Sequence, residues 1–300
     1  MLNVLNFDEK KIQTNIDLLM KMKVCLSVLI LFYGTGFAQN PKRLFIDTVQ
    51  VSCHYLYEFQ QDSTSRYSVK TQEMMLQIGK HCSKFVHNAV HLSDSLLMVF
   101  EGNGDPQTVF NKVWSMTEGA GLVHSYCSNY AYKNYPNKGD LLLTANMRGK
   151  HLKSIDCTQL SWKIVPDTVQ EVAGYTCKMA TTTFAGRNYV AWFTLEVPIS
   201  EGPYKFSGLP GLIVKICDLQ QQHKYSLLSI RKGKGIEPII LYDKNYISVT
   251  PKEYVDALNL KQAQLYNQIQ QEDKIKPDSD ESKARALTNL KSQNNFIEKY

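Results

Sequence analysis

The chain contains 300 residues, of which 43% are hydrophobic and 21% are charged. This composition is that of an ordinary globular protein, and it excludes collagen-like, coiled-coil and wholly disordered chains. The formal net charge is +6, from 34 basic and 28 acidic residues, and no basic run reaches five residues. A nucleic-acid-binding surface is therefore not expected.

An export signal is predicted near the amino terminus. Residues 24–37 form an apolar run that follows Lys21 and Lys23, and Gly36 and Ala38 place small residues at its end. A basic start, an apolar centre and small residues at the cleavage positions are the three parts of a secretory signal. The run is also shorter than the roughly 20 apolar residues that a membrane-spanning helix needs. A cleaved signal is therefore predicted, with a buried amphipathic helix as the alternative.

Cleavage of this signal defines the expected mature protein. We predict that residues 1–38 are removed and that the mature chain begins at Gln39, in the periplasm or outside the cell. The sequence before Met20 and Met22 mixes charged and apolar types, so residues 1–21 are interpreted as a start-site error. The mature chain is expected to contain no transmembrane segment.

Cysteine usage agrees with export. The mature chain has six cysteines, namely Cys53, Cys82, Cys127, Cys157, Cys177 and Cys217. An even number in an oxidising compartment predicts at least one disulfide, and a small buried hydrophobe is the alternative role for each cysteine. Cys157 and Cys177 flank two adjacent strand-like segments, so they are the preferred pair.

Alternation of apolar and polar residues predicts a β-rich protein. Residues 49–59 alternate throughout, and residues 189–197 alternate until Pro198 ends the pattern. Further segments also look extended: 66–78, 109–116, 140–148, 160–166, 174–184, 211–217 and 224–232. Clusters of glycine, asparagine, aspartate and proline separate these segments. The predicted fold is mainly β (α+β), with a curved antiparallel sheet, a sandwich or a partly open barrel in one domain, residues 39–300.

Helices are expected at the carboxyl end of this domain, within residues 250–293. Residues 250–253 read Thr-Pro-Lys-Glu, a capping box with proline at the first helical position. Apolar residues then recur on one helical face, namely Tyr254, Leu258, Leu265 and Ile269. A charged linker, residues 274–281, separates this helix from a second short helix at about residues 280–293.

One segment resembles a known family. Residues 206–213 read Phe-Ser-Gly-Leu-Pro-Gly-Leu-Ile, and residues 172–180 read Val-Ala-Gly-Tyr-Thr-Cys-Lys-Met-Ala. This block resembles the GLPGLI family, a group of exported proteins of Bacteroidetes-type bacteria. Residues 294–298 are similar to the family's terminal Asn-Asn-Pro-Ile-Glu, with Phe296 in place of the usual proline. The family has no established biochemical activity, so the resemblance implies a compartment and not a reaction.

The hexapeptide itself is expected to be structural. It consists of Gly208, Leu209, Pro210, Gly211, Leu212 and Ile213. Proline fixes its own backbone, and glycine permits positive φ or a close backbone approach. The motif contains no titratable group, which general acid, base or nucleophilic catalysis requires. We therefore predict a buried turn that locks one strand; a turn presented to a partner protein is the alternative.

Charged and aromatic residues around this block form the predicted partner or ligand surface. The candidates are Arg187, Trp192, Glu201, Tyr204, Leu209, Pro210 and Asp218. Arg187 is expected to form a bidentate pair with Glu201 or Asp218, and an ordinary surface salt bridge is the alternative. A hydrolase that uses Glu201 or Asp218 is a further interpretation. No catalytic residue is assigned.

One group of residues has the chemistry of metal ligands. It comprises His81, Cys82, His87 and His91. His87 and His91 are four residues apart and would share one face of a helix, as two ligands of copper or zinc can. Solvated surface histidines are the simpler interpretation, because no third ligand stands at motif spacing. No cofactor is otherwise expected.

The leading hypothesis is an exported binding or accessory protein of the cell envelope that is not an enzyme. The resemblance implies a setting in which it assists an outer-membrane uptake system, with an envelope or outer-membrane transport protein as its partner. A periplasmic metal-binding protein is the first alternative, and a hydrolase is the second.

Overall fold

The computed structural model describes residues 42–100, 129–147, 150–259 and 295–298, with the single residues 108, 111, 112 and 115. Apart from Lys42, all of them belong to one compact unit, Arg43–Tyr300. The predicted signal sequence, Cys127 and the second predicted helix lie outside the described residues.

Strands make up most of the described structure. They are β1 (Lys42–Thr48), β2 (Val51–Gln60), β3 (Val69–Ile78), β4 (Ser83–His87), β5 (Tyr130–Lys133), β6 (Leu141–Met147), β7 (Lys150–Asp156), β8 (Lys163–Val172), β9 (Tyr175–Phe184), β10 (Arg187–Thr194), β11 (Leu212–Asp218), β12 (His223–Lys232), β13 (Pro238–Asp243) and β14 (Tyr246–Ser248). Helix α1 (Asn88–Phe100) follows β4, and residues 251–259 are also helical. The predicted mainly β class is confirmed.

Twelve of the strands form one large sheet. Their order is β14-β7-β6-β5-β4-β3-β2-β12-β11-β10-β9-β8, and β1 pairs with β13 in a separate two-stranded sheet. Neighbours in the large sheet are antiparallel, except that β14 runs parallel to β7. The sheet is open, with β14 at one end and β8 at the other, so it is not a closed barrel.

Each face of the sheet contributes to a separate hydrophobic core. In β3, Leu76 belongs to the larger core, and its neighbour Met75 belongs to the smaller one. Phe85 and Val86 of β4 divide in the same way, because successive side chains of a strand point to opposite faces. Helix α1 and the β1–β13 pair supply much of the smaller core, so they cover that face of β3 to β6.

Local sequence signals predicted several elements correctly and one strand wrongly. The alternating segment that begins at residue 49 is β2, and the one that includes Trp192 is β10. The predicted capping box is formed: the Glu253 amide donates to Thr250 Oγ1 at 3.2 Å, and the Thr250 amide donates to the Glu253 carboxylate at 2.8 Å. The predicted strand 109–116 is wrong, because residues 111, 112 and 115 are helical.

The predicted disulfide between Cys157 and Cys177 is also wrong, because both cysteines are free thiols. Cys157 is exposed just after β7, whereas Cys177 is buried in β9. These strands are close in sequence, but each is second from an opposite end of the sheet. Free thiols occupy all the described positions: Cys53, Cys82, Cys157, Cys177 and Cys217.

Within the part of the chain that the structure describes, no helix combines the length and the apolar character needed to cross a membrane.

A hydrogen bond across the larger core joins strands that are not neighbours. The Tyr55 hydroxyl of β2 donates to the Ile213 carbonyl of β11 at 2.7 Å, and β12 lies between these strands in the sheet. Both residues are fully buried. Loss of the hydroxyl would therefore leave a buried carbonyl without this donor.

We predict that Tyr55→Phe lowers the free energy of unfolding by about 1–3 kcal/mol, the cost of an unsatisfied buried polar group. Urea unfolding measures the change. Tyr67→Phe is the matched control, because the Tyr67 side chain is 93% exposed, and it is expected to have no effect. Equal stabilities for the two variants would contradict the role of the Tyr55 hydroxyl.

Candidate functional site: the loop between β10 and β11

The loop between β10 and β11, residues 195–211, is called the linking loop here. It is anchored to strands far away in the sheet. Glu201 pairs with Lys133 Nζ of β5 at 2.6 Å and accepts a hydrogen bond from Ser83 Oγ of β4 at 2.9 Å. The Lys133 and Glu201 side chains are only 5% and 9% exposed. Lys133 also donates to the Gly202 carbonyl at 2.6 Å, so one ammonium holds both the side chain and the backbone of the loop.

The hexapeptide ends this loop as a tightly packed turn. Leu209 is buried, whereas Gly208 and Pro210 are exposed. Gly208 has a φ of +99°, a conformation that side chains with a Cβ rarely adopt. A Cβ added at Gly211 would lie 2.0 Å from the Thr194 carbonyl oxygen at the end of β10. The turn therefore depends on glycine at both positions.

The Trp162 side chain contacts the backbone beside this turn. Its indole Nε1 donates to the Ser207 carbonyl at 2.8 Å, just before the hexapeptide. Leu212 and Ile213, which follow the turn, are fully buried in β11. The motif therefore joins a buried strand to an anchored loop, and its exposed part is confined to Gly208 and Pro210.

A second buried ion pair lies at the opposite end of β10 and β11. Arg187 Nη1 contacts Asp218 Oδ2 at 2.8 Å, and the two side chains are 3% and 0% exposed. The pair is not bidentate, because Arg187 Nη2 donates instead to Asn295 Oδ1 and to the Phe296 carbonyl. Because the Arg187–Asp218 pair is buried, the alternative prediction of an ordinary surface salt bridge is wrong. Glu201, the other predicted partner of Arg187, forms its ion pair with Lys133.

Asp218 has a further structural role. Its Oδ1 accepts hydrogen bonds from the backbone amides of Gln222 and His223, at 2.7 and 2.9 Å. These contacts hold the turn between β11 and β12. Because both Asp218 oxygens are engaged, the geometry does not favour a hydrolytic role for this carboxylate.

A third buried ion pair joins the linking loop to residues 295–298. Lys205 Nζ contacts the two Glu298 oxygens at 2.8 and 3.1 Å, and it lies 3.6 Å from Asp156 of β7. The Tyr204 hydroxyl also donates to Glu298. Burial, together with the Glu298 carboxylate, raises the pKa of Tyr204 well above its ordinary value, so the phenol remains a donor.

Sequence reasoning identified only part of these networks. Lys133, Lys205, Asp156 and Glu298 were not among the candidates. A usable signal existed for the two lysines, since Lys133 ends the strand Tyr-Ala-Tyr-Lys and Lys205 stands between Tyr204 and Phe206. A lysine in such an aromatic setting is buried only when it is paired. The partners themselves come from distant segments.

Trp192 lies apart from the charged candidates. In β10, Arg187 points to the same face as the buried Tyr189 and Ala191, whereas Asn188, Val190 and Trp192 point to the other face. Trp192 is half-buried there, and its neighbours in register are Met179 of β9 and Lys215 of β11. The predicted surface is thus divided between two faces of the sheet.

Two predicted metal residues, His81 and Cys82, lie in the turn between β3 and β4. Their backbone amides donate to Asp47 Oδ2 at 2.6 and 3.0 Å. Burial, together with the Asp47 carboxylate, raises the pKa of the Cys82 thiol to about 12. The thiol therefore stays protonated at neutral pH, and copper or zinc binds the thiolate form.

The other two predicted metal residues do not share a helical face, so that expectation is wrong. His87 is the last residue of β4, and α1 begins only at Asn88. His87 Nδ1 accepts a hydrogen bond from the Ala89 amide, whereas His91 Nε2 lies 3.6 Å from Glu237 Oε1. Across the described residues, no three side chains of the ligand types group into a metal site. Copper or zinc binding stays a prediction.

Comparison with known protein families gives one short match in this region. A family model described as "Protein of unknown function (Porph_ging)" matches residues 185–215, which span β10, the linking loop and the start of β11. No curated protein matches the sequence.

Two solved structures of PNGF-II, in space groups P21 and C2, are similar to the chain. Each has 14% sequence identity and a TM-score of 0.46. The matches cover 72% and 71% of this chain, but only 34% and 33% of the PNGF-II chains. The chain therefore spans about a third of the length of these structures.

We predict that Gly211→Val destabilises the protein by at least about 2 kcal/mol, because the new side chain overlaps the Thr194 carbonyl. The melting temperature is expected to fall by roughly 2–4 °C for each kcal/mol lost. Pro210→Ala is the control, since Pro210 is exposed and its replacement costs no more than about 1 kcal/mol. An unchanged melt with lost partner binding would make the motif a recognition loop instead.

A second prediction concerns the Lys133–Glu201 pair. Lys133→Met leaves a buried carboxylate unpaired and is expected to cost about 3–5 kcal/mol. The double variant Lys133→Met/Glu201→Gln is expected to lose less than the sum of the two single losses. The exposed Lys252–Asp256 pair, 68% and 46% exposed, serves as a control worth at most about 0.5 kcal/mol. Additive losses in urea unfolding would show that the buried pair is not coupled.

Proposed function

We propose that the protein is an exported accessory protein of the cell envelope that binds a partner protein and does not act as an enzyme. The partner would contact the outer face of β9, β10 and β11 around Trp192. The observation that carries this proposal is the half-buried indole of Trp192, which lies on the face of β10 opposite the buried Arg187.

The surroundings of Trp192 suit recognition of a protein. Two rows of the outer face form what we call the Trp192 patch: Met179, Trp192 and Lys215 in one row, and Thr181, Val190 and Cys217 in the other. All six residues are half-buried. An aromatic side chain beside apolar groups, with one cation at the rim, is typical of the residues that dominate protein interfaces.

The charged candidates support the non-enzymatic part of the proposal. Arg187, Glu201 and Asp218 are buried, and each is engaged by other side chains of the same chain. Groups held in this way stabilise one arrangement of the loop. A reacting carboxylate would instead need access to substrate and to the proton it transfers.

The proposed export and the proposed identity of the partner are inferred from the sequence alone. The predicted signal over residues 1–38 supports a location in the periplasm or outside the cell. The resemblance to exported proteins points to an envelope partner, and a transport protein of an outer-membrane uptake system is the one we propose. That last link is an association and not a physical argument.

Crosslinked affinity purification of the tagged mature protein from its native envelope tests the proposal. We expect an outer-membrane transport protein to be recovered with the wild type and lost with Trp192→Ala. Leu219→Ala is the matched control, because Leu219 is 59% exposed in the turn after β11 and lies outside the patch. Circular dichroism checks that both variants are folded.

Equal recovery with Trp192→Ala would exclude the Trp192 patch. Recovery of no partner by the wild type would overturn the accessory function. Metal analysis of the same sample tests the first alternative. Stoichiometric copper or zinc that is lost in His87→Ala would support a metal-binding protein.

A further inference from the structure

The residues 295–298, which we call the tail segment, are bound by the rest of the protein as a peptide ligand would be. The segment reads Asn-Phe-Ile-Glu. Side chains at its first and fourth positions are almost fully buried, with Asn295 at 6% and Glu298 at 3% exposure. The two middle residues, Phe296 and Ile297, are half-buried, and their carbonyl groups accept hydrogen bonds.

The first position is recognised by its amide side chain. Asn295 Oδ1 accepts a hydrogen bond from Arg187 Nη2, and Asn295 Nδ2 donates to the Gln60 carbonyl at 2.8 Å. The Asn295 backbone amide donates to the Gln61 carbonyl at 3.3 Å. A carboxylate at this position would place a negative charge against the Gln60 carbonyl, so the site distinguishes asparagine from aspartate.

The second and third positions are contacted through their carbonyl groups, and the Ile297 side chain also packs against the larger hydrophobic core. Arg187 Nη2 also donates to the Phe296 carbonyl at 2.8 Å. The Tyr189 hydroxyl donates to the Ile297 carbonyl at 3.2 Å. Hydrogen bonds to backbone carbonyls fix the path of a peptide without selecting its side chains, so selection at the third position comes from the packing of Ile297.

The fourth position is recognised by its charge. Lys205 and the Tyr204 hydroxyl both donate to the Glu298 carboxylate. Hydrogen bonds to a charged group are stronger than those between neutral groups, so this position contributes most to selectivity. The four contacted positions therefore define the pattern Asn-x-x-Glu.

The binding groups keep other partners of their own. Arg187 contacts Asp218 at 2.8 Å and the Gln222 side chain at 3.0 Å, and Lys205 lies 3.6 Å from Asp156. Removal of the tail segment therefore does not leave either cation without a carboxylate. The cost of an unpaired buried ion, which would collapse an empty site, is avoided.

We propose that Arg187, Tyr189, Tyr204 and Lys205 form a binding site for acidic peptides of the pattern Asn-x-x-Glu, which the chain's own tail segment occupies. A peptide with the same pattern binds this site from another molecule when the tail segment is weakened. The site lies on the sheet face opposite Trp192, so this proposal does not depend on the function proposed above.

The test uses the full chain with Asn295→Ala and Glu298→Gln, which weakens the tail segment but leaves the site intact. The probe is a fluorescein-labelled peptide of residues 294–300, Asn-Asn-Phe-Ile-Glu-Lys-Tyr. We expect saturable binding by fluorescence anisotropy. A matched peptide with glutamine in place of the glutamate is expected to bind about tenfold or more weakly.

Two control proteins complete the experiment. The wild-type chain is expected to bind the peptide far more weakly than the variant, because its tethered tail segment competes at an effective concentration in the millimolar range. Addition of Lys205→Met to the variant is expected to abolish binding, whereas addition of Lys252→Met, at an exposed position, is expected to have no effect.

Equal binding of the two peptides, or no binding by a folded variant, would overturn the proposal. If the variant does not fold, millimolar peptide is expected to restore its melting transition, because a ligand of the native state stabilises that state. Failure of the peptide to restore the transition would also overturn the proposal.

Discussion

The contact between Lys133 and Glu201 constrains the rest of the described structure. Five strands lie between β5 and β10 in the sheet order, yet this ion pair joins β5 to the loop that follows β10. The sheet must therefore curve until its interior is narrow enough for the two side chains to meet. Since either charge alone would be costly to bury, arrangements in which the linking loop moves away are strongly disfavoured.

Two other buried cations repeat this arrangement, so buried charge organises the interior. Arg187 joins two strands to the tail segment, and Lys205 joins the linking loop to β7 and to the same segment. Buried ion pairs contribute little net stability, because desolvation offsets their attraction. The large hydrophobic core supplies the stability, and we infer that the ion pairs select one arrangement of loop and tail.

The region that matches the family model contains residues of the buried ion pairs and also Trp192. Residues 185–215 include Arg187 and Glu201, which form buried ion pairs, and Trp192, which lies on the opposite face of β10 from Arg187. The hexapeptide within it is determined by close packing, because a Cβ added at Gly211 would lie only 2.0 Å from the Thr194 carbonyl oxygen. The structural contacts and the proposed partner surface therefore lie on different faces of the sheet, because alternate residues of β10 point to opposite faces.

The sequence alone determined the elements whose signals are local. Alternation predicted β2 and β10, and the capping box predicted the helix that begins at residue 251, because these patterns depend only on neighbouring residues. In the candidate site, the sequence left two alternative partners for Arg187, Glu201 and Asp218, and the structure selects Asp218. The tertiary structure decided three further features: the strand order, the partners of Lys133 and Lys205, and the separation of Cys157 from Cys177. The neighbours of a buried charge or thiol come from segments that are distant in the sequence. A local pattern of residues therefore cannot predict which segments the folded sheet brings together.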